Sequence, residues 1–309
     1  MTSTPRTRAL AGAMYIVAAT LLWSAIPICV KVAVKAVDAY TMCWIRFFAG
    51  SIVLFGLAFV RRADLRIPRV EWKWVVLAAF GLGIDYVAYI RGIQSTTASA
   101  SNVVVQFEVI MIVILSYVWL KERMSRAKVV GMLVTFAGVF LALSNGESLA
   151  DLRSSEHFLG NMLILSATPL WAMYVMGQKI LATHKVSVSV SLAYIFGLAA
   201  IITLPTVFIG FEVRLPFTPA VWIALITLVI PSTVGAYLLI GRGFKLLDAS
   251  TAGVISCLLP IFTIINARIF LGEPTSLAVG IGAALVVLGI GVIARDEASA
   301  TSLAEAPGP

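Results

Sequence analysis

Long apolar runs follow one another through this chain almost without interruption, and the second half of the series repeats the first. Gly12-Ala13-Met14, Ala19-Thr20, Leu22-Trp23 and Lys31 recur as Gly160-Asn161-Met162, Ala167-Thr168, Leu170-Trp171 and Lys179. Trp23 to Trp171 and Lys31 to Lys179 share one offset of 148 residues. Leu120-Lys121-Glu122, Gly131 and Gly138 recur as Leu271-Gly272-Glu273, Gly282 and Gly289, at an offset of 151. Three residues of drift across a whole copy imply the same element order in both. The runs lie at about 11–31, 40–60, 73–93, 99–120, 127–145, 158–179, 187–210, 219–241, 250–271 and 275–294. About 20 apolar residues span a bilayer as helix, and lipid leaves helix as the form that satisfies the backbone of such a run. The expected fold is an all-α integral membrane protein of ten transmembrane helices. Residues 1–149 form one five-helix repeat, 150–296 a second, and 297–309 a disordered cytoplasmic tail.

Composition excludes the main competitors. Only 12% of the 309 residues are charged and 60% are apolar, where a soluble domain carries about 25% charge. The net charge of +8 sits in short loops, so it speaks for membrane topology rather than nucleic-acid binding. Cys29, Cys43 and Cys257 lie inside apolar runs without metal-ligand spacing, and His157 and His184 stand at opposite span edges. Neither set makes a metal site or a catalytic triad, and no cofactor is expected. Arg6 and Arg8 before an apolar run imitate a signal peptide, but no small-residue cleavage site precedes Lys31, so the run reads as a retained first span.

With the N-terminus inside, the cytoplasmic segments hold most of the 23 Lys and Arg, notably Arg61, Arg62, Arg66 and Arg69, then Lys121, Arg123, Arg126 and Lys128. Both termini are then cytoplasmic. Five spans per copy is odd, so the second copy is inverted. The Arg-rich loop after the second span has a counterpart around Phe211–Pro219 that holds only Arg214 against Glu212, which is the charge reversal that inversion requires.

Ten spans in an inverted repeat, an early Trp in each copy and the Leu-x-Glu … Gly … Gly ending resemble the drug/metabolite transporter superfamily, in its EamA branch. The resemblance covers Ala11 to Arg295. Asp85-Tyr86-Val87-Ala88-Tyr89 and Trp171 look like the aromatic amino-acid exporters of that branch. It implies an inner-membrane exporter of amino acids and related metabolites, with a cavity between the halves. One departure stands out: Pro260 of the ninth span matches Val109 of the fourth, preceded by Glu108.

Thr20, Trp23, Pro27 and Lys31 share a helix face, as do Thr168, Trp171, Val175 and Lys179. The two Trp read either as opposed aromatic walls of a cavity or as packing and interface anchors. Lys31 and Lys179 either snorkel to headgroups or capture a carboxylate. Asp85 and Tyr89 share a face of the third span; Asp85 either meets substrate or a proton, or pairs with Arg46 or Arg91. In the fourth span Ser99, Asn102 and Gln106 share a face. Glu108 lies about 200° round from Gln106 at 100° per residue, so it points elsewhere, with Arg46 as its structural partner. Pro231-Ser232-Thr233-Val234-Gly235 and Gly81-Leu82-Gly83 occupy corresponding places and read either as hinge and site or as close packing. Glu122 and Glu273 end matched spans as caps or braces of the next helix, or as gate contacts. The substrate-binding candidates are Trp23, Ser24, Asp85, Tyr86, Tyr89, Asn102, Gln106, Trp171, Tyr174, Ser232 and Tyr237. Asp85 and Glu108 are the proton-coupling candidates, and Gly81, Gly83, Pro231 and Gly235 the hinge candidates.

The function expected is secondary transport: export of amino acids, aromatic and others, or related small metabolites across the inner membrane by alternating access. The expected partners are the lipid bilayer and a small-molecule substrate, with no nucleic acid and a monomeric chain. No Gly-x-x-x-x-Gly-Lys-Ser/Thr loop is present for direct ATP use. The alternative is a membrane-embedded enzyme acting on a lipid-linked substrate, which would need a catalytic set at one interface that the sequence does not display.

Overall fold

The computed structural model describes residues 5–121, 124–144, 157–184, 186–243, 246, 255–256 and 258–305. Glu122, Cys257, the joint between the copies and the start of the ninth run fall outside these residues. Among the described residues, nine helical segments are long and apolar enough to cross a membrane, and Leu259–Leu271 is a shorter apolar one. The one extended pairing among them is an isolated antiparallel bridge between Val37 and Val213.

The expected runs are helices, but several are broken. The first run divides into α1 (Pro5–Ser24) and α2 (Ile26–Ala33) around Ala25. Pro27 is the cause: it lacks an N–H and its ring crowds the preceding turn, so it is tolerated where a new helix begins. α3 (Ala39–Val60) is capped by Asp38, whose carboxylate accepts from the amides of Tyr40 and Thr41. α4 (Trp72–Gln94) is continuous. The fourth run divides into α5 (Ala98–Val104) and α6 (Phe107–Leu120), joined through Val105 and Gln106 by tight i→i+3 bonds from Gln106 to Val103 and from Glu108 to Val105. Next in the chain come α7 (Arg126–Ser144), α8 (Phe158–Thr183) and α9 (Val188–Val207). The eighth run is α10 (Pro219–Val229), a π-helical turn (Ile230–Gly235) and α11 (Ala236–Gly243). Pro231 is the second residue of that turn, and the Thr233 hydroxyl donates to the Leu228 carbonyl at 2.7 Å, satisfying an oxygen in the disturbed backbone. α12 (Leu259–Asn266) passes into a second π-helical stretch, Ala267–Leu271.

The last helix, α13 (Leu277–Glu305), continues through most of the segment expected as a disordered tail. Ala, Leu and Glu favour helix, and no Gly or Pro stands between Gly291 and Pro307 to stop it.

Small residues set the packing, because helices in lipid gain by close approach rather than by hiding from water. A Cβ added at Gly138 would stand 2.6 Å from the Gly282 carbonyl oxygen, and one at Gly282 the same distance from the Gly138 carbonyl. Gly131 and Gly289 approach in the same way, at 2.7 and 2.6 Å, so α7 and α13 run in backbone contact. α4 lies along α8 through Gly81 against the Leu170 carbonyl, Gly177 against Trp74 and Ala78, and Gly92 against the Gly160 carbonyl. α11 meets α1 through Gly243 against Ile16 and Gly12. α3 lies along α9, where the Ser51 hydroxyl donates to the Ala193 carbonyl at 2.9 Å.

Polar braces close the ends. Glu273 accepts from the Ala98 amide at the start of α5 at 2.9 Å and stands 3.6 Å from the Lys31 ammonium. It therefore caps a helix of the first half, not the next helix in its own half, and Lys31 has an ion-pair partner instead of snorkelling alone. Thr96 donates to Asn161 at 2.7 Å, and Asn161 donates to the Leu143 carbonyl at 3.3 Å. At another loop pair, His184 Nδ1 stands 2.8 Å from Glu71 Oε2.

Candidate functional site

The helix breaks and the aromatic positions meet at one cavity of about 190 Å³. Thr20, Trp23 and Ile26 line it from the α1–α2 junction. Asp85, Tyr86 and Tyr89 come from α4; Asn102, Val105, Gln106, Glu108 and Val109 from the α5–α6 junction; Trp171 from α8. Ser256, Leu259 and Ile290 complete the wall. Residues before 110 and after 170 both contribute, so neither half holds the cavity alone.

Aromatic rings form most of one side. Trp171 lies at the centre, with ring centroids 6.3 Å from Trp23, 6.2 Å from Tyr86, 5.1 Å from Tyr174 and 6.3 Å from Tyr237. Trp23 meets Trp171 nearly edge to face, at 84°. Tyr86 and Tyr89 meet at 87° with 5.9 Å between centroids. Each such pair is worth about 0.5–1.5 kcal/mol beyond its buried area, so the cluster holds its rings in place.

Arg46 of α3 is fully buried behind this wall. Its guanidinium carbon lies 4.0 Å from the Tyr86 ring centre, Nη2 donates to the Tyr86 hydroxyl at 3.2 Å, and Nε donates to Thr233 in the π-turn. Among the described residues Nη1 has no hydrogen-bond partner. An Arg at such depth costs about 2.5–3.5 kcal/mol on insertion scales, and a desolvated cation–π contact returns about 2. Tyr86 is thus held between Arg46 outside and the cavity inside.

Glu108 does not pair with Arg46. The expected 200° separation of Glu108 from Gln106 assumed one continuous helix, and the break at Val105–Gln106 re-aims the helix beyond it, so both residues line the cavity. Asp85 pairs neither with Arg46 nor with Arg91: Arg91 Nη1 donates to Gln94 at 2.6 Å and its guanidinium lies over the Tyr40 ring. Among the described residues Asp85 and Glu108 have no hydrogen-bond or ion-pair partner, although Asp85 is only 4% exposed.

Asn102 is a polar hub. The Tyr89 hydroxyl donates to its Oδ1 at 2.7 Å, its Nδ2 donates to Thr263 at 2.5 Å, and Gln106 donates to its carbonyl at 3.4 Å. The amide is therefore committed to bracing α4 and α12 across the α5–α6 junction.

The remaining candidates lie outside the wall. Ser24 donates to the Leu21 carbonyl at 2.7 Å and accepts from Asn266 at 2.7 Å. Ser232 donates to the Leu22 carbonyl at 2.8 Å. Tyr174 and Tyr237 back Trp171 from behind. Gly81 and Gly83 sit in unbroken helix against α8 and α9, while Pro231 and Gly235 bound the π-helical turn. Ser99 joins Thr97, His157, Thr275 and Ser276 around a separate depression. Sequence reasoning overlooked Ile26, Val105, Ser256, Leu259 and Ile290, which line the cavity; Ile26 and Val105 do so at the α1–α2 and α5–α6 breaks. Pro27 was the available signal for the α1–α2 junction.

The EamA-like transporter family model matches this chain twice, over residues 10–144 and 158–295. An uncharacterized transporter of Archaeoglobus fulgidus is 28% identical over 273 residues, spanning 87% of this chain and 92% of that protein. The uncharacterized transporter YetK of Bacillus subtilis is 26% identical over 288 residues, 91% of this chain and 84% of its own length. The uncharacterized inner membrane transporter YhbE of Escherichia coli is 24% identical over 181 residues, 57% of this chain and 56% of its own length. A solved crystal structure superposes with a TM-score of 0.68 at 20% identity, over 93% of this chain and 98% of that one, a likeness of fold.

Proposed function

The chain belongs to the EamA-like transporter family, and from that membership we propose that it is a secondary exporter of amino acids, aromatic ones first, or of related small metabolites. It works by alternating access of two inverted five-helix halves in the inner membrane, with both termini cytoplasmic. The observation that carries this reading is the cavity: it is walled by four aromatic residues, holds two acids, and draws its lining from both halves. Polar groups converging in an apolar, aromatic cavity at a junction of helices are what a small-molecule site requires.

The inverted repeat is supported by the way equivalent residues meet. Gly131 and Gly138 are equivalent to Gly282 and Gly289, yet the contacts cross, Gly131 with Gly289 and Gly138 with Gly282. Gly92 on Gly160 is mirrored by Gly243 on Gly12. Lys121 and Gly272, also equivalent, both end their helices in the left-handed region, at φ of 54° and 66°. Contacts of this kind arise from a two-fold relation between antiparallel copies.

Alternating access needs an element with two arrangements. The α1–α2 and α5–α6 breaks and the Ile230–Gly235 turn all border the cavity or its aromatic backing, so a change there re-aims Trp23, Gln106 and Tyr237 together. Asp85 and Glu108 are placed to carry a proton if flux is coupled to one. Flux of labelled amino acids and related amines through proteoliposomes tests the reading, and purified protein that passes none of them down a gradient would sink it.

A further inference from the structure

Within the range of amino acids and related metabolites, the charges around the cavity favour an amine over a carboxylate. Asp85 and Glu108 both line it, and the described lining residues include no Lys, Arg or His. Among the described residues neither acid has a hydrogen-bond or ion-pair partner, and Asp85 is nine-tenths buried. Arg46, the buried cation nearby, acts on Asp85 through space but makes no ion pair with it: its guanidinium packs on Tyr86 and bonds Thr233 and the Tyr86 hydroxyl. A buried carboxylate without a partner is costly, and a bound cation is the partner that removes the cost. Trp23, Tyr86, Tyr89 and Trp171 line the same space, and aromatic faces attract ammonium groups. A free substrate carboxylate, by contrast, would enter beside two acids and find no cation among the described lining groups.

We infer that the cavity binds a small aromatic amine of net positive charge, with its ammonium at Asp85 and Glu108 and its ring against Trp23 and Trp171, in preference to the corresponding amino acid. The inference rests on the transport reading above and narrows its substrate class. The cavity volume of about 190 Å³ is below the ~300–1,000 Å³ of drug-sized sites, which suits a single ring carrying a short amine.

Phenethylamine and phenylalanine share a ring and an ammonium and differ by the carboxylate, so calorimetric titration of the full chain in lipid nanodiscs at neutral pH reads the difference directly. The amine should bind at least about tenfold more tightly, as expected when one partner finds a charge-assisted bond and the other a repelled carboxylate. Asp85→Asn and Glu108→Gln should each weaken the amine about fivefold or more, with monodispersity in size-exclusion chromatography as the folding control. Equal or tighter binding of phenylalanine by the unaltered chain, or unchanged amine affinity in both well-folded variants, overturns the inference. Proteoliposome flux separates the failures, with phenyltrimethylammonium as a cation that does not cross lipid unaided. Passage of amino acids but not of this cation overturns the charge preference alone, while passage of neither overturns the transport reading with it.

Discussion

Gly138 and Gly272 show how one residue type serves two physical ends, and substitution separates them. At Gly272 a side chain would meet nothing within 4 Å, but φ is +66°, so the cost of Gly272→Ala is conformational, about 1–2 kcal/mol. Gly272→Asn should cost less, because Asn tolerates that region. At Gly138 the backbone is ordinary and the space is absent. Gly138→Ala should cost about 1–3 kcal/mol, and Gly138→Val clearly more, read as loss of thermal stability in detergent. At the same scale, Thr233→Val removes the acceptor of Arg46 Nε and should cost about 1.5–3 kcal/mol, since the guanidinium stays buried. Trp23 and Trp171 were legible as cavity residues because the repeat singles them out. Glu108 was misread because an angle on a helical wheel holds only while the helix is unbroken. Arg46 in its role behind Tyr86 was not legible at all, since α3 and α4 meet only in three dimensions.

At the scale of the element, the spans were plain and their interruptions were not. Twenty apolar residues in lipid have helix as their outcome, so periodicity hardly mattered for α3, α4, α8 and α9. The α1–α2 break has Pro27 as its signal, and the π-turn has Pro231. The α5–α6 break has neither Pro nor Gly within Ala98–Leu120, and the packing around Asn102 and Thr263 accompanies it. Capping also crossed expectation. Glu273 serves α5 across the halves, so Glu273→Ala should lose the Ala98 cap and the Lys31 pair together. The expected cost is about 0.5–2 kcal/mol, with faster amide exchange at the start of α5 as the local readout.

For the whole molecule, Trp171 is the residue on which the halves converge, touching Trp23 and Tyr237 as well as Tyr86 and Tyr174. Trp171→Ala and Tyr89→Ala should each lower export at least about tenfold in proteoliposomes while leaving expression and folding intact, since truncating a central aromatic contact costs about 2 kcal/mol or more. Normal export by both would remove the aromatic wall from the mechanism. If the halves rock against each other, the Lys31–Glu273 contact must open in one state. Lys31→Cys with Glu273→Cys, bridged by a short thiol crosslinker, should therefore stop flux, and cleaving the bridge should restore it. Flux that persists through the bridge would place the moving boundary elsewhere.

Sequence alone determined that this chain lives in a membrane, that it is helical, where its spans lie and that its halves repeat. These conclusions come from counts and offsets along one dimension, and the cost of exposing backbone to lipid leaves few alternatives. Tertiary structure decided which side chains share a cavity. It brought Glu108 to Asp85, bonded Arg46 to Thr233 and Tyr86 rather than to either acid, and moved Ser24, Ser232, Tyr174 and Tyr237 out of the wall. The reason is geometric: a single break in a helix redirects every side chain beyond it, and the close glycine contacts that set which helices touch join residues more than a hundred positions apart as readily as near ones.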